Sequence, residues 1–352
     1  MRQPDLSIIV PTLNEAKTLP LLVADLAGQK GIDLEVIVSD GGSTDSTAEV
    51  AKTILAGEDL PGTCLVGPAG RGRQLNAGAA AARADWLLFL HADSRLPDHS
   101  QLQQALHVIQ GQQERTGTNT TAGRFALRFE RAPGDESFAL FYYESKARLG
   151  RAGCIHGDQG MLFRKTFFAK VGPFREDLPV MEDTALAEQV RKHGKWLLLP
   201  GEIITSARRF AIEGWGARQT LNALMMNFLA IGWLDFFVKA PEVYRQQDKT
   251  KPLRLGPFYR QIMELLASMS WQKRWSLWFA TGTYVRGQAW QIGLALDCRK
   301  AYQRNLAYPQ DPGAWLRRFD RWFEPLTNHR VGCFITALLV RLWFAAQLRR
   351  RS

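Results

Sequence analysis

Three aspartates sit where short apolar runs end or a helical pattern begins. Asp40 follows Leu34–Val38 (LEVIV) and opens the turn DGGSTDST, and Asp93 follows Trp86–Leu90 (WLLFL) in LHADSRLP. Asp183 stands beside Glu182, after Leu178-Pro179-Val180-Met181 and ahead of the helically spaced Ala185, Leu186 and Val190. A carboxylate at a strand exit can coordinate a hard divalent cation, which in turn neutralises a diphosphate leaving group. Another carboxylate can take a proton from an attacking hydroxyl. Each residue also has an ordinary structural use: a turn or helix cap for Asp40 and Asp93, and the helix macrodipole for Glu182-Asp183. Two carboxylates at the ends of different strands, aimed at one crevice, are harder to explain as caps. Gly70-Arg71-Gly72-Arg73 combines close backbone approach with guanidinium groups suited to phosphate, Arg73 being the candidate ligand, although a solvated basic turn would read the same. The stretch is neither a P-loop nor GxGxxG.

These residues need a frame. Leu6–Val10 (LSIIV), Leu34–Val38 and Trp86–Leu90 are apolar runs of the kind found in strands buried on both faces. Between them Leu19, Leu22, Val23 and Leu26 keep helical spacing, and Arg73–Arg83 is rich in alanine. The alternation predicts an α/β fold with a mostly parallel sheet flanked by helices, whose ligands bind outside the carboxyl ends of the strands. Gly111–Thr121 (GQQERTGTNTT) reads as a surface loop and Gly123–Glu130 (GRFALRFE) as an antiparallel strand.

The order of these pieces resembles family 2 glycosyltransferases of the GT-A fold over about residues 5–210. The resemblance is carried by Ile8-Ile9-Val10-Pro11-Thr12-Leu13-Asn14-Glu15, by the Asp-rich turn Asp40-Gly41-Gly42-Ser43-Thr44-Asp45, by a DxD-like His91-Ala92-Asp93, and by the later Glu182-Asp183 pair. It implies that Pro11, Glu15 and Asp40 hold the nucleoside of a nucleotide-sugar donor, that Asp93 holds Mg²⁺ or Mn²⁺, and that Asp183 is the general base of an inverting transfer. The first acid of DxD is His91 here, so metal binding would rest on Asp93 and the donor phosphates, and a histidine packed at a strand end is the plainer reading of His91. Where processive members carry QxxRW, this chain has Ser206-Ala207-Arg208-Arg209-Phe210, which leaves Arg209 to hold a diphosphate and implies non-processive transfer. GRGRQLNAGA and SARRF look most like a bacterial subgroup associated with arsenosugar biosynthesis.

The chain has 352 residues and four scattered cysteines without a CxxC pair, a pattern that supports neither a disulfide framework nor a zinc site. The N-terminus enters a strand-like run without a secretory pattern, so a cytoplasmic catalytic part is expected. The net charge of +11 is unevenly placed. Residues 1–240 hold 26 basic and 27 acidic side chains, whereas residues 241–352 hold 19 and 7, together with seven of the eleven tryptophans. A boundary near residue 240 is therefore expected, between a glycosyltransferase domain with a trailing apolar helix (1–240) and a helical, basic, Trp-rich region (241–352).

Leu221–Val238 and Val331–Gln347 are apolar but interrupted by polar or charged residues, and read as interfacial helices or as buried helices of a subdomain rather than as spans. In the first case Phe334, Leu338, Leu342 and Ala345 would form the apolar stripe, near an anionic membrane surface on the inner face of the cell membrane, and the acceptor would be a lipid or lipid-linked sugar. Two other readings share some of these features. A nucleotidyltransferase would normally place a Gly-rich phosphate loop where this chain has PTLNE, and a nucleic-acid binder would leave the three aspartates without a role.

Overall fold

The structure, a computed structural model, describes residues 2–57, 60–131, 137–247, 251–308 and 313–351, leaving aside the side chains of residues 350 and 351. It divides into two compact units, Met1–Asp135 with Ala147–Ser206, and Glu136–Lys146 with Ala207–Ser352.

The first unit is built on a seven-stranded sheet of β1 (Leu6–Thr12), β2 (Leu34–Asp40), β3 (Gly62–Val66), β4 (Trp86–Phe89), β5 (Thr121–Glu130), β6 (Met161–Arg164) and β7 (Lys195–Ser206), in the order β3-β2-β1-β4-β6-β5-β7. β1 runs parallel to both β2 and β4, and β2 parallel to β3. β6 is antiparallel to β4 and β5, while β5 and β7 are parallel. The strand expected at Gly123–Glu130 is thus antiparallel to one neighbour and parallel to the other. Helices α1 (Leu19–Ala27), α2 (Thr47–Leu55), α3 (Arg71–Ala81), α4 (Gln101–Thr116), α6 (Lys165–Val171) and α7 (Glu182–His193) belong to this unit, and α5 (Phe138–Ala147) lies almost wholly in the second.

The continuous apolar runs are explained by burial on both faces. Ile8, Val36 and Leu88 pack in one core with Leu22 of α1 and Leu102 of α4, whereas their neighbours Ile9, Ile37 and Leu87 pack in the other with Leu75 of α3 and Leu186 of α7. Chain order reverses where β1 lies between β2 and β4, so the crevice beyond their carboxyl ends is the expected ligand position.

The loop expected over Gly111–Thr121 is a correction. α4 continues to Thr116, because Gln, Glu and Arg are good helix formers and Ile109 and Gln113 keep a buried face going. It stops at Gly117, whose φ of 64° suits a left-handed helix end.

The second unit is helical: α8 (Arg208–Glu213), α9 (Trp215–Ala230), α10 (Asp235–Arg245), α11 (Gly256–Ala267), α12 (Trp271–Gly287), α13 (Trp290–Gln303), α14 (Ala314–Arg318), α15 (Glu324–Thr327) and α16 (Arg330–Arg351). Leu221–Val238 is not one helix. It breaks between α9 and α10 at Gly232, where φ is +72°. The packing division also differs from the charge boundary near residue 240. Charge reports what faces solvent, but α9 buries Leu221, Met225 and Phe228, and its Asn227 Nδ2 donates to Thr281 Oγ1 of α12 at 3.2 Å. α9 thus shares the core of the helices after it.

Candidate active site

Outside the carboxyl ends of β1 and β2 two loops are stitched together. Asn14, with φ +60°, accepts at its side-chain oxygen from the Thr44 N–H at 2.9 Å, and its own N–H donates to Ser43 Oγ at 2.8 Å. Glu15 is half-buried, its N–H donating to Thr47 Oγ1 at 2.8 Å and its Oε2 accepting from Thr18 Oγ1 at 2.6 Å. Pro11, also half-buried, is the penultimate residue of β1. Asp40 is buried, and its carboxylate is taken up by its own turn: Oδ1 accepts from Thr12 and Ser43 hydroxyls, Oδ2 from the N–H groups of Gly42 and Ser43. Burial opposes its charge, but these bonds prevail and hold the carboxyl below its ordinary range. Gln74 of α3 caps the arrangement from above, donating to the carbonyls of Thr12 and Ser39 at 2.7 and 2.8 Å.

The acidic part of the crevice forms where the first turns of α3 and α7 meet. Arg71, the first residue of α3, pairs through Nε with Oε1 of the fully buried Glu182 and lies 3.9 Å through Nη2 from Asp183 Oδ2. Asp183 Oδ2 accepts from the Gly157 N–H at 2.7 Å and Oδ1 from the Thr184 N–H at 2.7 Å. A β-carbon at 157 would fall 2.8 Å from His91 Nε2 and 3.0 Å from Asp183 Oδ2, so glycine is what lets this backbone approach both groups. His156 Nδ1 lies 3.0 Å from Thr184 Oγ1.

Two aspartates here carry opposite perturbations. Burial alone would raise Asp183, yet Arg71, His156, the Gly157 N–H and His91 bring it down to about 2, so it is ionised at every ordinary pH. Asp158 is pushed up to about 7 by burial and by the charges of Asp183 and Asp93, against the pull of Arg71. Its Oδ1 is buried without a hydrogen-bond partner, as are Glu182 Oε2 and Ser94 Oγ. Burial also pushes Glu182 up while the Arg71 guanidinium pulls against it.

The structure therefore brings Asp93, Asp183 and Glu182 into one neighbourhood, together with His91. Arg73 is not among them: it is half exposed, with Nε 3.5 Å from Glu176 Oε2. Arg209 belongs to the second unit, exposed in α8. Sequence reasoning read Arg71 and Asn14 only as members of their motifs, singling out Arg73 and Glu15 instead, and missed Asp158. The only signal for Asp158 was a polar, glycine-flanked His156-Gly157-Asp158-Gln159-Gly160 between two apolar stretches.

As to metal, no group of three or more His, Cys, Asp or Glu among the described residues is arranged to hold an ion by itself. Asp93 and Asp158, one with an unpartnered buried oxygen, nevertheless fit a cation that takes its remaining ligands from donor phosphates.

The acidic crevice lies at the switch point of the α/β sheet, where ligands of such sheets bind, and comparison with known proteins says what kind of protein carries it. The glycosyl transferase family 2 model matches residues 7–172, and the chain is 30% identical over 187 residues to the PGL/p-HBAD biosynthesis glycosyltransferases of Mycobacterium tuberculosis and Mycobacterium bovis, covering 52% of this chain and 68% of theirs. The chain belongs to glycosyl transferase family 2 and is a glycosyltransferase. Among solved structures it is similar to the mannosyltransferase PcManGT from Pyrobaculum calidifontis in complex with GDP-Man and Mn²⁺ (18% identity, 97% of this chain and 88% of that one, TM-score 0.48). It is also similar to S. aureus TarS 1-349 in complex with UDP-GlcNAc (14% identity, 88% and 95%, TM-score 0.46).

Proposed function

We propose that this glycosyltransferase moves a sugar from a nucleotide-diphosphate sugar to an acceptor hydroxyl by a single, inverting, non-processive displacement that depends on Mg²⁺ or Mn²⁺. The observation that supports it most is the setting of Asp183: ionised, fixed by two backbone N–H groups, and sharing its crevice with Asp158 and Asp93. Asp183 takes the proton of the acceptor hydroxyl while that oxygen bonds to the anomeric carbon and the bond to the diphosphate breaks. A carboxylate held so far below its ordinary range is a weak base. Proton transfer must therefore run late, when the attacking oxygen has become acidic, and positioning supplies much of the rate.

Pro11, Glu15 and Asp40 hold the nucleoside, Asp40 by fixing the turn that faces it. Asp93, with Asp158 beside it, holds the cation, which when bound neutralises charge on the diphosphate. Glu182 keeps Arg71 at the mouth of the crevice, where a guanidinium suits phosphate better than the outlying Arg73. Arg209 is read as a further diphosphate contact. The acceptor is read as a lipid or lipid-linked sugar, and the catalytic unit as cytoplasmic, on the inner face of the cell membrane. A screen of purified chain against common nucleotide sugars with each metal, reading nucleoside diphosphate release and donor-dependent thermal stabilisation, tests this reading. Absence of both with every donor would overturn it.

A further inference from the structure

α16 is apolar on two opposite faces, and only one of them is covered. Cys333, Ala337 and Phe344 are buried. Phe344 packs edge-on against Tyr259 of α11 and against Trp278 of α12, ring centroids 5.5 and 5.7 Å away. At Gly282 of α12 a β-carbon would fall 2.5 Å from Ala337 N, so the two helices touch almost backbone to backbone. The other face carries Val331, Ile335, Leu338, Leu339, Leu342 and Trp343, all exposed and at i, i+4, i+7, i+8, i+11 and i+12. These positions form one continuous arc of a helix. The arc belongs to a wider asymmetry: of the 24 large hydrophobic side chains exposed among the described residues, 19 lie between residues 207 and 352.

Charge indicates what covers this face. No acidic residue follows Glu324, and α16 carries Arg330 and Arg341 eleven residues apart, returning to the same flank of the arc, with Arg349 near its end. Arg350 and Arg351 add to that end in sequence, but their side chains lie outside the described residues. A second copy docked on the same face would bring arginines together with no acid to meet them. An anionic lipid surface supplies acyl chains for the arc and head groups for the arginines.

By length and hydropathy (mean 1.8) α16 is the one helix among the described residues that could cross a bilayer, with 17% of it buried. A crossing helix with no second span beside it, however, meets lipid on all sides. Here one side is taken by α12, which exposes Lys273 and Arg274, and Arg341 sits near the middle of α16. We propose that α16 lies in the plane of an anionic bilayer, its Val331–Trp343 face among the acyl chains and its arginines at head-group level. The stripe expected from sequence, Phe334, Leu338, Leu342 and Ala345, is thereby rotated: Phe334 lies at the edge, its ring 5.7 Å from Trp275.

Removing α16 would uncover α12, so the test uses exposed point changes in the full chain. It reads binding rather than turnover, which keeps it separate from the proposed donor chemistry. Vesicles of phosphatidylcholine with about a third phosphatidylglycerol should sediment the unmodified chain, and vesicles of phosphatidylcholine alone should do so about ten-fold less well. The double substitution Leu339→Glu with Leu342→Glu should lower binding to the mixed vesicles by about ten-fold or more, with unchanged circular dichroism. Should that variant unfold, Val331→Asn with Leu339→Asn carries the same expectation. Raised salt should weaken binding of the unmodified chain. Equal sedimentation of folded variant and unmodified chain would overturn the proposal. So would a dimer seen by analytical ultracentrifugation without vesicles that the same substitutions abolish.

Discussion

Arg71 and Glu182, 111 residues apart and each the first residue of a helix, form an ion pair in which the glutamate is wholly buried. The pair fastens the start of α3 to the start of α7. It also holds the Arg71 guanidinium 3.9 Å from Asp183. A single contact therefore carries both stability and the charge state of the proposed base.

Arg71→Met should be costly for that reason. A buried carboxylate left without its partner destabilises by about 3 kcal/mol or more. Urea unfolding should show that loss, and Arg71→Met combined with Glu182→Gln should recover a good part of it. A single variant as stable as the unmodified chain would show that Glu182 simply takes up a proton.

Asp183→Asn should lower kcat by about 10² or more while donor affinity stays near normal, since the amide keeps the shape but cannot take the proton. Donor affinity is read by titration calorimetry, turnover by diphosphate release. If affinity collapses and turnover per bound donor does not, Asp183 is a binding residue.

Asp93→Asn should remove most of the gain in donor binding that Mn²⁺ provides, because the charge that attracts the cation is gone. The fold should survive, as Asp93 lies in the half-exposed loop after β4. Thermal stabilisation by donor with and without Mn²⁺ checks this, and an unchanged Mn²⁺ effect would refute the assignment.

Glu35 gives a prediction in pH. Burial favours its neutral form, but bonds from Ser7 Oγ, the Arg83 N–H and the Arg83 guanidinium outweigh burial and lower its carboxyl below the ordinary 4.5. The folded state then binds fewer protons than the unfolded one, so this contribution is complete above the ordinary value and is lost as pH falls through the lowered one. Glu35→Gln should cost about 1–3 kcal/mol at neutral pH. The difference from the unmodified chain should shrink as unfolding is measured below pH ~4. A gap that stayed constant into acid would mean that shape rather than charge matters at this position.

Much of the frame was legible in sequence because its forces are local. Strands β1, β2 and β4 read as apolar runs since both their faces are buried, and Asp40 and Asp93 stand out because a strand's carboxyl end is where its apolar run stops. The end of α4 is not legible in sequence, because glycine and polar residues mark loops only on average and here the buried Ile109 and Gln113 outweigh them.

The choice between Arg71 and Arg73 lay beyond sequence. Two residues apart on a helix, they point about 200° apart, and only the docking of α3 on α7 decides which one meets Glu182. Asp158 was hidden for the same reason: nothing near it in the chain is charged enough to perturb it. Asp183 and Asp93, which raise it, arrive from 25 and 65 residues away once the sheet has closed. Sequence alone determined the α/β frame and the aspartates at its strand ends, through short-range periodicity and burial. Which charges neighbour one another in the crevice was decided by tertiary packing, since electrostatic coupling depends on distance in space and not along the chain.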